Sequence, residues 1–421
     1  MSFANFGYDY SLKHSETYQD IKLRLHHYLI DRLEEERVPV GEMSKDDLAG
    51  YVRGKVSRYV ADHRLAVTAN DTEQLAREMV DELTGYGPLE KLIHDDQVND
   101  ILVNGCRHIF IERAGRLQHS DLRFIDDDHV LRVIRRILAP LGRRLDESSP
   151  MVDARLPDGS RVNAIIPPVA LNGPCLSIRK FRKDPLQAGD LLAFGTADQP
   201  VLDFLHKAVE KRCNILISGG TGAGKTTLLN VLSRYIPTDE RLVTIEDAAE
   251  LQLGHDHVVR LETRPPNIDG RGEVTSRDLV RNALRMRPDR IILGEVRGDE
   301  VMDVLQAMNT GHDGCMSTVH ANSPRDALVR IEMLAGLAGF QGTDLTLKTM
   351  ISTALDLIVQ ISRLPDGRRR LFAIEEVLGI RDGEFVSNAL YEYRSDSDSF
   401  ASLGMPTVAK LRPNGGRGKW R

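Results

Sequence analysis

The chain has 421 residues, with 56 Lys and Arg against 62 Asp and Glu, for a formal charge of −6. With 28% charged and 41% hydrophobic residues it has the makeup of a globular protein of two or three domains, neither disordered nor fibrous. The acidic balance argues against a protein whose main task is coating nucleic acid, and no run approaches the roughly 18 apolar residues that cross a membrane.

Four scattered cysteines, Cys106, Cys175, Cys213 and Cys315, form no C-x-x-C pair, which excludes a disulfide framework or a four-Cys zinc module and fits a reducing cytosol. The N-terminal residues lack the charged-then-apolar pattern of a secretory signal.

Residues 1–84 read as helices. Tyr18, Ile21, Leu25, Tyr28, Leu29 and Leu33 recur at helical spacing and mark one apolar face. Pro39 and Gly41 break it. Ser44 and Asp47 suit the start of a second helix carrying Leu48, Val52, Val56 and Val60, and a third with Leu75, Met79 and Leu83 stops at Gly85. A small bundle with its own core and a docking surface for a partner are both open readings.

Residues 85–185 read as a mixed α/β domain. Short strands are expected at Asp100–Asn104, His108–Glu112, Arg161–Pro167 and Cys175–Arg179, with a helix burying Val130, Val133, Ile134 and Ile137. Arg182-Lys-Asp-Pro185 reads as a hinge. From 186 to 393, the runs Asn214–Ser218, Leu242–Ile245, Arg290–Leu293 and Met316–Val319 suit strands buried on both faces of a largely parallel α/β sheet. The segment 394–421, with SDSDS and NGGRGKWR, reads as a mobile tail.

Gly219-Gly-Thr-Gly-Ala-Gly-Lys-Thr-Thr227 fits G-x-x-x-x-G-K-[ST] between an apolar strand and the helical run Leu228, Leu229, Val231, Leu232. Such a loop turns the N–H groups of Gly220, Thr221, Gly222, Ala223, Gly224 and the residues through Thr227 around an anion, and side chains would block that approach. Lys225 supplies a point charge for the β- and γ-phosphates and Thr226 a hydroxyl for Mg²⁺. The pattern implies a nucleoside triphosphate ligand.

Three further clusters fall at expected strand ends, where open α/β sheets gather ligands. Glu246, Asp247 and Glu250 follow one strand, Gly294, Glu295 and Arg297 another. One acid at a strand end is usually a solvated cap. Two clusters beside a phosphate loop favour carboxylates that hold Mg²⁺ through water or orient the attacking water. In the third cluster, His320 stands at a strand end and is better placed than His312 to sense a γ-phosphate.

Arginines crowd residues 260–297. Arg277, Arg281 and Arg285 share a helical face, usually a solvated one. Arg264 and Arg271 lie in a Pro- and Gly-rich loop suited to reaching a neighbouring subunit. A phosphate-stabilising arginine is worth roughly 10³–10⁵ in rate, so a ring ATPase would depend on one. Arg132–Arg136, Arg143-Arg144, Arg179–Lys183 and the 260–297 arginines form local positive patches that suit a nucleotide better than a DNA coat.

In this order the phosphate loop, Thr244-Ile-Glu-Asp-Ala-Ala-Glu250, Leu293-Gly-Glu-Val-Arg297 and Ser-Thr-Val-His320 resemble the type II/type IV secretion ATPase superfamily. Gly85-Tyr-Gly-Pro-Leu-Glu90, the stretch Asp146–Pro168 and Leu176-Ser-Ile-Arg-Lys-Phe181 look most like its Tad (tight adherence, CpaF-like) pilus assembly branch. The resemblance covers residues 15–393. It implies a RecA-like ATPase core behind a mixed α/β N-terminal domain and a helical bundle. It also implies a cytoplasmic homohexamer that uses ATP and Mg²⁺ and meets the inner membrane through platform proteins of the pilus. By it, Glu295 is the catalytic carboxylate, Glu246 assists, both reach Mg²⁺ through water, and His320 reads the nucleotide state. Arg161 and Arg179 would reach nucleotide or a neighbouring subunit, against the alternative of strand-edge salt bridges.

The four-Cys zinc module common among type II secretion and pilus extension ATPases is missing, and Ala248-Ala249 stands where retraction motors often carry a proline. A traffic ATPase of conjugation or type IV secretion is the nearest competing reading. A RecA- or helicase-like nucleic-acid motor is disfavoured by 5% aromatics and a single Trp, at 420. A nucleotide-gated regulator without turnover is the third alternative.

Overall fold

The structure is a computed structural model that describes residues 16–39, 43–113, 115–181, 185–266 and 271–411. The chain divides into two compact units, Met1–Arg182 and Lys183–Arg421. The expected hinge falls at this division, but 182–184 lie outside the described residues, as do 1–15 and 40–42.

In the first unit, α1 (Glu16–Glu35), α2 (Lys45–Asp62) and α3 (Ala69–Thr84) bury Leu25, Leu29, Val52, Val56, Leu75 and Met79 in one core. The Ser44 hydroxyl accepts from the Asp47 N–H at the start of α2, and Thr68 and Asp71 form a capping box on α3. After the short α4 (Glu90–Ile93) come β1 (Val98–Asn104), β2 (His108–Arg113), β3 (Arg116–His119), α5 (Asp127–Leu138), β4 (Met151–Arg155), β5 (Arg161–Ile165) and β6 (Cys175–Arg179). These strands form an antiparallel sheet in the order β3-β2-β1-β6-β5-β4, whose apolar face packs on α5 through Val130, Val133, Ile134 and Ile137.

A buried ionic cluster joins α1, α3 and α5. Lys22 Nζ lies 2.9 Å from Glu82 Oε1, and His129 Nε2 lies 2.6 Å from Glu82 Oε2. Burial opposes the charge on Glu82, but His129 and the Lys22 ammonium hold its carboxyl down to about 2.

In the second unit, α6 (Ala188–Ala193) and α7 (Gln199–Glu210) precede alternating strands and helices. These are β7 (Ile215–Ser218), α8 (Lys225–Ser233), β8 (Leu242–Glu246), β9 (Val258–Glu262), α9 (Ser276–Ala283), β10 (Arg290–Leu293), α10 (Glu300–Asn309), β11 (Met316–Val319), α11 (Pro324–Leu337) and α12 (Asp344–Ala354). The last strands are β12 (Leu357–Arg363), β13 (Arg369–Arg381), β14 (Glu384–Arg394) and β15 (Ser399–Ser402). The sheet order is β15-β14-β13-β12-β7-β11-β10-β8-β9. It is parallel from β12 to β9 and antiparallel beyond. Every residue of β7, β8, β10 and β11 is buried, because helices cover both faces.

Two expectations need correction. The segment after 393 is not a tail as far as 411: β14 runs to Arg394, β15 pairs with it, and Leu411 is buried. The buried Glu376 carboxylate accepts from Thr407 N at 2.8 Å and from Val408 N, which fixes this segment. Residues 412–421 lie outside the described residues. Arg285 also falls beyond the end of α9, so it does not continue the row of Arg277 and Arg281.

Candidate nucleotide site

The phosphate loop follows β7 directly. Gly222 (φ 68°) and Gly224 (φ 101°) occupy left-handed backbone that a side chain would strain, and a Cβ on Gly219 would collide with the Ile361 carbonyl oxygen. Leu228, Leu229 and Leu232 of α8 are buried under the sheet, which fixes the helix start against the loop. Lys225 is buried and its Nζ donates to the carbonyls of Gly219 and Gly220, each at 3.0 Å.

The strand order β7-β11-β10-β8 places the expected clusters side by side at one edge. Both ring nitrogens of His320 lie 3.3–3.4 Å from Lys225 Nζ, and Nε2 lies 2.9 Å from Glu295 Oε1. The other Glu295 oxygen takes a 2.5 Å contact from Arg297 Nη2, and Arg297 Nη1 reaches Asp247 at 3.4 Å. Burial lowers the His320 pKa despite the Glu295 charge. A neutral ring that donates from Nε2 to Glu295 leaves Nδ1 as the acceptor facing the Lys225 ammonium. His312 precedes β11, at the opposite end of that strand.

Glu246 ends β8. Its Oε2 accepts from the N–H groups of Glu250 (2.7 Å) and Leu251 (2.8 Å), while Oε1 is buried without a hydrogen-bond partner among the described residues. Burial pushes its carboxyl up to about 7, against those two N–H groups. A Cβ on Gly294 would stand 3.0 Å from Glu246 Cγ, so glycine there lets the acid lie against the neighbouring strand end. The unmatched Glu246 oxygen, the Glu295 carboxylate and the Thr226 hydroxyl on the first turn of α8 are hard oxygen donors that fit Mg²⁺.

The arginines divide. Arg264 pairs through its backbone with Val274, and its Nε donates to Gly272 O at 2.6 Å, so it braces its own loop. Arg271 is exposed there, and 267–270 lie outside the described residues. Arg277 binds Asp299 and Asp303, Arg281 binds Asp303, and the fully buried Arg290 binds Glu240. For these three, the expectation of a positive patch open to nucleotide is overturned by carboxylates distant in sequence.

Arg161 and Arg179 are direct cross-strand neighbours in the first unit, and Arg155, which sequence reasoning did not single out, stands opposite Arg161. This row lies on the face away from Val162, Ala164, Leu176 and Ile178. Like charges directly opposed across strands destabilise a sheet, and Asp100 of β1, which stands opposite Arg179, supplies a compensating charge at the end of the row. Reading also missed Arg369, whose Nε donates to Gly222 O at 3.2 Å. The run of three arginines at 368–370 was its available signal.

The family model described as Type II/IV secretion system protein matches residues 82–388. A putative conjugal transfer protein, MT3759, of Mycobacterium tuberculosis (strain CDC 1551 / Oshkosh) is 41% identical over 344 residues, covering 79% of this chain and 96% of that one. Conjugal transfer protein TrbB of Rhizobium radiobacter is 33% identical over 312 residues, covering 72% and 91%. The crystal structure of the pilus retraction motor PilT with bound ADP, 22% identical, covers 69% of this chain and 82% of its own at a TM-score of 0.51, a likeness of fold. With the phosphate loop, acidic box, Gly-Glu and histidine elements converging at one sheet edge, the chain belongs to the type II/IV secretion system protein family.

Proposed function

We propose that the chain is a Mg²⁺-dependent ATPase with a RecA-like core, which works as a homohexameric motor. The observation that carries this is the contact series Lys225–His320–Glu295 at the end of the phosphate-loop strand. Lys225 and the loop N–H groups of Gly220–Thr227 hold the β- and γ-phosphates. Mg²⁺, held by Thr226 and through water by Glu295 and Glu246, would offset charge on the phosphate oxygens.

Glu295 orients the attacking water and takes its proton as the bond from the γ-phosphorus to ADP breaks. Glu246 assists, its unmatched Oε1 being an acceptor for a water beside the metal. His320 changes partner between Lys225 and the Glu295 side as the γ-phosphate comes and goes. Glu295→Gln should bind ATP nearly as wild type and lose almost all turnover, and normal hydrolysis by that variant would sink the assignment.

A ring needs arginines that act between subunits, and Arg161, Arg179, Arg264 and Arg271 are the candidates, joined by Arg155. Mixing Lys225→Ala subunits with an Arg→Ala variant should restore hydrolysis at mixed interfaces. No rescue at any ratio would remove that arginine from a role in trans.

The work we propose is pilus assembly of the Tad type, with withdrawal of subunits as a second use of the same motor, through a platform protein at the cytoplasmic face of the inner membrane and without direct nucleic-acid contact. The motifs Gly85–Glu90 and Asp146–Pro168 support it. The second reading, a traffic ATPase of conjugation, is favoured by the names of the relatives above. Neighbouring genes for a short prepilin, its peptidase and two small membrane proteins would decide for the pilus. Steep stimulation of hydrolysis by single-stranded DNA would decide against it.

A further inference from the structure

The hairpin joining β12 to β13 leans on the phosphate loop. Besides the Arg369 hydrogen bond to Gly222, its Cδ lies 3.6 Å from where a Cβ on Gly224 would sit. Arg363 Nη1 lies 4.0 Å from the corresponding point on Gly222. A tight turn closes the hairpin, with Leu364 N donating to Arg368 O at 2.7 Å and Gly367 N to Leu364 O at 2.9 Å.

Asp398, in the turn between β14 and β15, anchors this hairpin. Its Oδ1 accepts from Tyr393 Oη at 2.6 Å and Arg370 Nε at 3.2 Å, and its Oδ2 from Arg368 Nη1 at 2.7 Å. The Tyr393 hydroxyl and these two guanidinium groups hold its carboxyl well below the usual range. Arg370 also donates to Phe194 O at 3.0 Å, which ties the hairpin base to the end of α6. Two of the hairpin's arginines thus meet Asp398, and the other two, Arg363 and Arg369, stand directly opposite each other across the hairpin and beside the phosphate loop.

We infer that Arg369 and Arg363 form a second cationic contact for the nucleotide's phosphates, on the solvent side of the loop, and that Asp398 is the residue that positions them. This rests on the reading that ATP occupies the loop. The ligand chemistry is a nucleoside di- or triphosphate, and a guanidinium is suited to it because its planar donors match phosphate oxygens.

The test is equilibrium binding of ATP and ADP to the full chain with Mg²⁺, by calorimetry at two salt concentrations, beside thermal unfolding. Arg369→Gln should weaken both nucleotides about tenfold and flatten the salt dependence, Arg369→Lys should recover most of the loss, and Asp398→Asn should cost about threefold. Thermal unfolding without nucleotide should stay within a few degrees of wild type.

Arg363→Gln repeats the test without touching the Gly222 carbonyl. Wild-type affinity in both arginine-to-glutamine variants overturns this inference alone. So does a loss in Arg369→Gln that tracks a fallen Tm while Arg363→Gln binds normally. A wild-type chain that binds neither nucleotide overturns the ATPase reading and this inference together.

Discussion

Arg290 opens β10 and Glu246 closes the neighbouring β8, so the same sheet carries a buried charged side chain at each end. The two are treated in opposite ways. Arg290 is met by both oxygens of Glu240, at 2.7 and 3.0 Å, and by Val209 O at 2.7 Å. Lys410, at the same end, reaches Asp313 and Asp356, each at 2.8 Å. Glu376, opposite the first residue of β12, receives four hydrogen bonds from Thr407 and Val408. At the other end Glu246 keeps one oxygen without a partner among the described residues, and its carboxyl rises to about 7. Charge that is fully partnered fixes the fold. Charge left short of partners is poised for a ligand.

The largest expected effect breaks the satisfied end. Arg290→Met leaves Glu240 with the half-buried Arg212, 2.9 Å away, as its remaining partner and takes the Arg290 donor from Val209 O, and it should cost about 2–4 kcal/mol in urea unfolding. Adding Glu240→Met should return part of that loss, since it removes the buried acid, while Arg212, its other partner, is half-buried and still reaches Asp289. If the double variant is as unstable as the single one, the pair is doing something other than neutralising buried charge.

Glu376→Ala is the next in size. It removes the acceptor for Thr407 and Val408 and should cost about 2–4 kcal/mol. Hydrogen exchange should quicken at residues 403–411 far more than in β7 or β11, because the loosened segment lies on the sheet's margin. Uniform acceleration across the unit would contradict this account.

The contrast between the ends also marks how far the sequence could be read. The four buried strands β7, β8, β10 and β11 were legible because covering both faces demands unbroken apolar runs, and the phosphate loop because its chemistry is local. Glu246, Glu295 and His320 followed from standing at those strand ends. The partners of Arg277, Arg281 and Arg290 were not legible, since Asp303 and Glu240 lie 22 to 50 residues away. The β13–β15 extension was hidden because its strands show neither an unbroken apolar run nor a regular alternation of buried and exposed residues, and SDSDS, read as part of a mobile tail, holds the anchoring Asp398. The cross-strand row of Arg155, Arg161 and Arg179 needed a register that only the folded sheet supplies.

Glu246→Gln is the smallest effect and the sharpest test of the unsatisfied end. In the folded chain the carboxyl titrates near 7, against 4.5 for the ordinary group, so between those values the native state holds a proton that the unfolded chain releases. The stability this contributes is complete below about pH 4.5 and is lost as the pH rises through 7. Glutamine stays neutral throughout, and its carbonyl oxygen can still accept from Glu250 and Leu251. Without Mg²⁺ or nucleotide, the variant should therefore match wild type near pH 5 and exceed it at pH 8 by about 1–3 kcal/mol, a rise in Tm with no gain in activity. A variant less stable than wild type at pH 8 would mean that the buried oxygen has a partner, and the two ends of the sheet would no longer differ in kind.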